Sequence, residues 1–152
     1  MALIVGVNSY LDIDEADELL NNNIYSDSVY LNSWNKLSDR DRQVLLIQST
    51  SILEGCVYLG SIKNSGQSLK FPRYINGVDV GTPDDIKLAC ILQGLKDIDI
   101  KNREEYKITE NGIKSYTIKG ASITLRDAGN FGRTNNNIYN DIYSNYINKY
   151  AY

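Results

Sequence analysis

The chain has 152 residues, a length that suits one domain and is short for two. It contains no histidine, which excludes Ser-His-Asp and Cys-His nucleophile activation, histidine general bases and His-bound zinc. With 16 Lys and Arg against 19 Asp and Glu the net charge is −3, which speaks against a strongly basic nucleic-acid module.

A domain of this size buries about 70% of the surface its unfolded chain exposes, so it needs no disulfides. Cys56 and Cys90 are far apart and lie in apolar surroundings, where free thiols act as small hydrophobes. Twelve Tyr stand beside two Phe and one Trp, with an excess of Asn. Tyr, Asn, Ile and Lys share A/T-rich codons, so low-GC coding explains part of this bias.

The run from Ala2 to Val7 predicts a short strand or extended arm, turned at Asn8-Ser9. It is too short, and lacks the basic flank, for a signal peptide or membrane span. Asp12 reads as a helix N-cap with Glu15 completing a capping box, and Asp14, Asp17 and Glu18 crowd the dipole-favoured first turns. Ile13, Ala16, Leu19 and Leu20 form its apolar face, and the helix should stop at Asn21-Asn22-Asn23. Tyr25 and Tyr30 fall in a polar connector ending at Trp34. A second helix starts at the N-cap Ser38 and runs to Glu54-Gly55, with Leu45, Ser49, Ile52 and Cys56 on one side and Leu46 and Leu53 beside them.

Between Tyr58 and Thr82 the periodicity breaks, and glycines punctuate a long loop with a turn signal at Asn76-Gly77. Loops this long in small domains tend to be functional. A third helix opens at Thr82-Pro83 with Asp84 and Asp85 in its first turn. From Ile86 to Leu95 it is apolar almost all round, so it should be buried on several sides, one of them a candidate subunit contact. Residues 97–104 read as a charged hinge. Alternation over 105–126 predicts a small β-hairpin or meander.

Residues 127–137 are Gly- and Asn-rich, hence a linker. On a helix, Ile138, Tyr139, Ile142, Tyr143, Tyr146, Ile147 and Tyr150 fall in one arc of about half the circumference. Asn, Tyr and Ile are mediocre helix formers, and a helix this short is marginal in water. The segment should therefore order by docking, either on its own domain or on another subunit or partner. Tyr-rich composition favours the second, because aromatic residues are enriched at interfaces.

No catalytic constellation emerges. Asp14 and Glu18 are i,i+4 neighbours that could share a hard cation, but a solvated first turn explains them as well. No Gly-rich phosphate motif is present. Tyr with nearby Lys could stack single-stranded bases, yet the cations are scattered rather than gathered in a groove.

Several short runs, taken in order, resemble a family. They are Asn8-Ser9-Tyr10 followed by Glu15-Ala16-Asp17, then Trp34 before Leu37, and Leu45-Leu46-Ile47 with Ile52-Leu53. Gln67-Ser68-Leu69-Lys70-Phe71-Pro72-Arg73 and Thr82-Pro83-Asp84-Asp85-Ile86-Lys87-Leu88-Ala89 follow. Over residues 1–95 this order and spacing resemble the bacteriophage head–tail connector (adaptor) proteins, many of which carry the name DnaT-like single-stranded-DNA-binding protein. The family often has Trp where this chain has Phe71, and an aromatic where it has Leu19-Leu20.

The resemblance implies a small helical bundle with a long loop, and the residue patterns add a short β-hairpin and a C-terminal docking helix to this mainly α fold. The residue patterns divide the chain into an adaptor domain with a small β segment over 1–126 and a linker with an amphipathic docking helix over 127–152. The resemblance implies a ring, typically of twelve copies, below the portal protein, which extends the DNA channel and meets the next neck or tail-completion protein. DNA would pass without specific binding, and no cofactor, metal, membrane or enzymatic step is expected. The expected location is the virion neck, after synthesis in the host cytoplasm. Phe71 and Arg73 join the 138–150 arc as interface candidates, their loop either closing the bundle or touching a neighbour. A single-stranded-DNA-binding replication protein is the alternative. A metal-dependent nuclease built on the acidic first helix is a weaker third.

Overall fold

A computed structural model describes residues 1–102, 115–118, 121–124 and 146–152. Four helices dominate it: α1 (Ile13–Asn23), α2 (Val29–Asn35), α3 (Asp39–Glu54) and α4 (Asp84–Asn102). The mainly α fold predicted from sequence is the fold observed.

Local signals place the helix starts. The Asp12 side chain accepts from the Glu15 backbone N–H at 2.9 Å, capping α1. The reciprocal half of the box is absent, because Glu15 instead accepts from Lys87 on α4. Ser38 caps α3 in the same way, accepting from the Asp41 N–H at 3.2 Å. α4 begins one residue later than the Thr82 cap implies, the Pro83 carbonyl accepting from Ile86 and Lys87.

α4 is the central element, packed against α1, α2 and α3. This explains its nearly circumferential apolar surface: Ile86, Leu88, Ala89, Cys90, Ile91, Leu92 and Leu95 are all buried. Over these residues the neighbours come from the same chain rather than from a second subunit. Gly94 sets the α3–α4 separation. A Cβ there would stand 2.4 Å from two Leu45 side-chain atoms and 2.5 Å from Ser49 Oγ.

Four expectations are corrected. The polar connector before Trp34 is helical as α2, capped by Ser28, whose side chain accepts from the Tyr30 N–H. It buries Leu31 and Trp34 on one side, a spacing too short to stand out. The charged stretch after residue 96 is no hinge through residue 102, where α4 ends. The start of the chain is a turn rather than a strand, Ile4 accepting from both Val7 and Asn8. On α3 the buried set is Leu45, Leu46, Ser49, Thr50 and Leu53, while Ile52 is exposed.

The long loop contains a three-stranded antiparallel sheet, β1 (Ser61–Ile62), β2 (Arg73–Ile75) and β3 (Val78–Gly81). The Asn76-Gly77 turn joins β2 and β3, with positive φ at both residues as a tight hairpin requires. β4 (Ser115–Ile118) and β5 (Ala121–Thr124) form the predicted hairpin, with Ile118 paired to Ala121.

Candidate functional site

The run that carries the resemblance, Gln67 to Arg73, forms a latch across the end of α3. Gln67 starts it locally. Its side-chain amide donates to the Leu69 and Pro72 carbonyls at 2.6 and 2.9 Å, and its side-chain oxygen accepts from the Asn64 N–H. The Phe71-Pro72 peptide is cis. Phe71 is 1% exposed and meets three tyrosine rings edge-on, at centroid distances of 4.9 Å for Tyr58, 6.0 Å for Tyr10 and 6.2 Å for Tyr150. Edge-to-face aromatic contacts add to the burial of each ring.

Arg73 is buried beside this cluster. Its guanidinium donates to the carbonyls of Leu59 (2.9 Å), Gly60 (2.9 Å), Lys70 (3.1 Å) and Tyr58 (3.3 Å). The fork thus ties the residues before β1 to the latch. Lys70 adds two ties, its N–H donating to the Glu54 carboxylate and its ammonium to the Cys56 carbonyl at 2.7 Å. Glu54 also accepts from the Tyr10 hydroxyl. Burial, and next the Glu54 carboxylate, push the Tyr10 phenol far above its ordinary range. Burial does the same to Tyr58. Both rings stay neutral and serve as pins.

The sequence left two roles open for the Phe71–Arg73 loop. It closes the bundle. Both side chains are occupied within the chain, by contacts far apart in sequence that no local pattern announces.

Three members of the C-terminal arc lie among the described residues, and they turn toward their own domain. Tyr150 is buried against Phe71 and donates to Asp85 at 3.3 Å, while Tyr146 and Ile147 pack on the core at half-buried positions. The chain end is also held by backbone: Leu59 N–H donates to the Tyr150 carbonyl, and Tyr152 N–H to Val57. The contacts described for these three residues are within the chain. Ile138, Tyr139, Ile142 and Tyr143 lie outside the described residues, as does the whole linker over 127–137.

The charges of the described residues are largely engaged. Arg42 lies over the Trp34 ring at 5.1 Å and faces Asp17 and Asp39. Trp34, fully buried, donates to Asp17 at 2.5 Å. Lys63 pairs with Asp79, Lys87 with Glu15 and Lys149 with Asp85. Asp14 and Glu18 are exposed, and among the described residues no group of three or more acidic or thiol side chains could hold a metal. Residues 1–100 carry eight Lys or Arg against fourteen Asp or Glu, whereas residues 101–133 carry seven against four. The described body is thus the acidic part. Burial holds Cys90 as a thiol, pushing its pKa up to about 12. No helix among the described residues is long and apolar enough to cross a membrane.

The family model for "Putative DnaT-like ssDNA binding protein" matches residues 1–127. The chain belongs to that family. The match spans the helical body, the latch and the β4–β5 hairpin, and stops before the aromatic arc. No curated protein and no solved structure matches the chain.

Proposed function

We propose that this protein is a structural head–tail adaptor of a tailed phage. It would sit as a ring below the portal, extend the DNA channel and present a platform to the next neck component. One observation carries the choice over the family's descriptive name. Most of the described aromatics and cations are spent on holding the fold, and of the described aromatics Tyr25, Tyr74 and Tyr152 stay exposed. Trp34, Tyr58, Phe71, Tyr10 and Tyr150 are buried, and Arg73, Lys70, Lys87 and Arg42 are engaged inside the chain. Single-stranded DNA needs the opposite, stacking platforms along a positive groove. An acidic body suits a conduit, since a basic lumen would retain passing phosphates.

The family name favours a second reading, a single-stranded-DNA-binding protein. Its natural seat would be the basic stretch 101–133. One experiment separates the two. The purified chain is sedimented with portal rings encoded by the same genome, and in parallel titrated with a single-stranded oligonucleotide at rising salt. The adaptor reading expects co-sedimentation with the portal and no measurable DNA affinity at physiological salt. Tight DNA binding that falls steeply with salt, without portal binding, would reverse the choice.

A further inference from the structure

Two apolar features of the described body have no partner within it. The first is the N-terminal turn, where Ile4, Val5 and Val7 are 53, 49 and 51% exposed. Its geometry is fixed: the Asn8 side chain accepts from the Ile4 N–H at 2.7 Å and donates to the Ala2 carbonyl at 2.9 Å. Residues 2–7 carry no charged side chain. The second feature is a groove of about 320 Å³ between α3 and α4, lined by Leu37, Val44, Gln48, Ile52, Gly94 and Ile98 among others. Val44 and Ile52 are 42 and 48% exposed there. Ser49 lines the same groove, and its hydroxyl is buried without a hydrogen-bond partner.

We infer that the N-terminal turn of one copy seats in the α3–α4 groove of the next, forming a head-to-tail contact. This rests on the ring reading and names two patches that such a ring would join.

Position supports it. Gln43, Thr50 and Glu54 mark the flank of α3 that meets the N-terminal segment: Gln43 shares a recess with Leu3, and Thr50 and Glu54 accept from Tyr10. Asp41, Val44, Gln48 and Ile52 mark the groove flank. At 100° per residue the two flanks lie about 140° apart around the helix. A turn on one side and a groove on nearly the opposite side do not pair by a two-fold. They pair head to tail, as a cyclic ring requires.

Size and charge agree. A dry cavity of ~150 Å³ holds one benzene, so the groove accepts roughly two branched aliphatic side chains. The rim acids are already engaged, Asp41 accepting from the Ser38 hydroxyl and Asp97 from the Gln93 amide. An uncharged turn therefore fits. The contact is smaller than the roughly 800 Å² per partner of a standing interface. It belongs to an assembly with further contacts and does not hold a free dimer.

Cross-linking tests it. In a Cys56→Ser background, Val5→Cys and Ile52→Cys are made separately and together in the full chain. Under mild oxidation at high protein concentration, mixing the two single variants should give a disulfide dimer. The double variant should give a ladder of higher multimers, and neither single variant alone should cross-link. If the mixture stays monomeric while both variants melt like the parent, the contact is wrong. Dimers from Val5→Cys alone would also overturn it, in favour of a two-fold contact. Portal co-sedimentation without any ladder would remove this contact and leave the adaptor reading standing. A ladder without portal binding would do the reverse.

Discussion

Removing the Arg73 fork should be among the most damaging single changes in the body. Arg73 is 7% exposed and donates to four backbone carbonyls, two of them at 2.9 Å. A hydrogen bond to a charged donor contributes about 1.5–3 kcal/mol, so the two short bonds alone represent roughly 3–6 kcal/mol in Arg73→Ala. Relief from desolvating the guanidinium offsets part of this, and water reaching the vacated space rescues some carbonyls. A net loss of about 3 kcal/mol is expected. Arg73→Lys keeps the charge but not the planar fork, and should lose about half as much. The assay is urea unfolding followed by far-UV circular dichroism, with near-UV signal reporting on the surrounding tyrosines. If Arg73→Ala costs under about 1 kcal/mol, the latch does not depend on this fork and the assignment of Arg73 to fold closure fails.

Three further outcomes follow from the same geometry. Gly94→Ala gains about 1 kcal/mol of helix propensity but drives a methyl into Leu45 and Ser49, so thermal melting should show a net loss of about 1–3 kcal/mol. Tyr10 and Tyr58 have folded pKa values above their ordinary value of 10.0, so their contribution is complete below that pH and declines above it. Each removes about 1.4 kcal/mol per pH unit there, and phenolate absorbance and helix loss should rise together in one alkaline transition. Separate transitions would mean that these rings are not buried pins. Tyr150→Ala should cost about 2–3 kcal/mol in chemical denaturation, because Phe71 loses an edge contact and Asp85 a donor. An unchanged midpoint would show that the chain end does not close on its own body.

What could be read from sequence was what short-range chemistry decides. Asp12, Ser38 and Pro83 mark helix starts because caps and dipoles act within one turn. The excess apolarity of α4 signalled burial, but not that α1, α2 and α3 of the same chain pack against it. α2 escaped because seven residues give too few repeats of the helical period. The small sheet escaped because strands of two to four residues carry no alternation to detect. The latch is the clearest case. Gln67 to Arg73 stood out as a pattern, yet its role depends on Glu54, Leu59, Gly60 and Tyr150, which only the folded chain brings near. The described end of the aromatic arc turns inward, because Phe71 and Asp85 offer Tyr150 both an edge and an acceptor.

The adaptor reading, which places this gene in a tailed-phage genome, is tested most directly by deleting it there and measuring both DNA synthesis and particle content in the infected cell. The account predicts normal viral DNA synthesis together with heads that accumulate without attached tails. Arrested DNA synthesis, with heads and tails still joining when synthesis is supplied in trans, would contradict it.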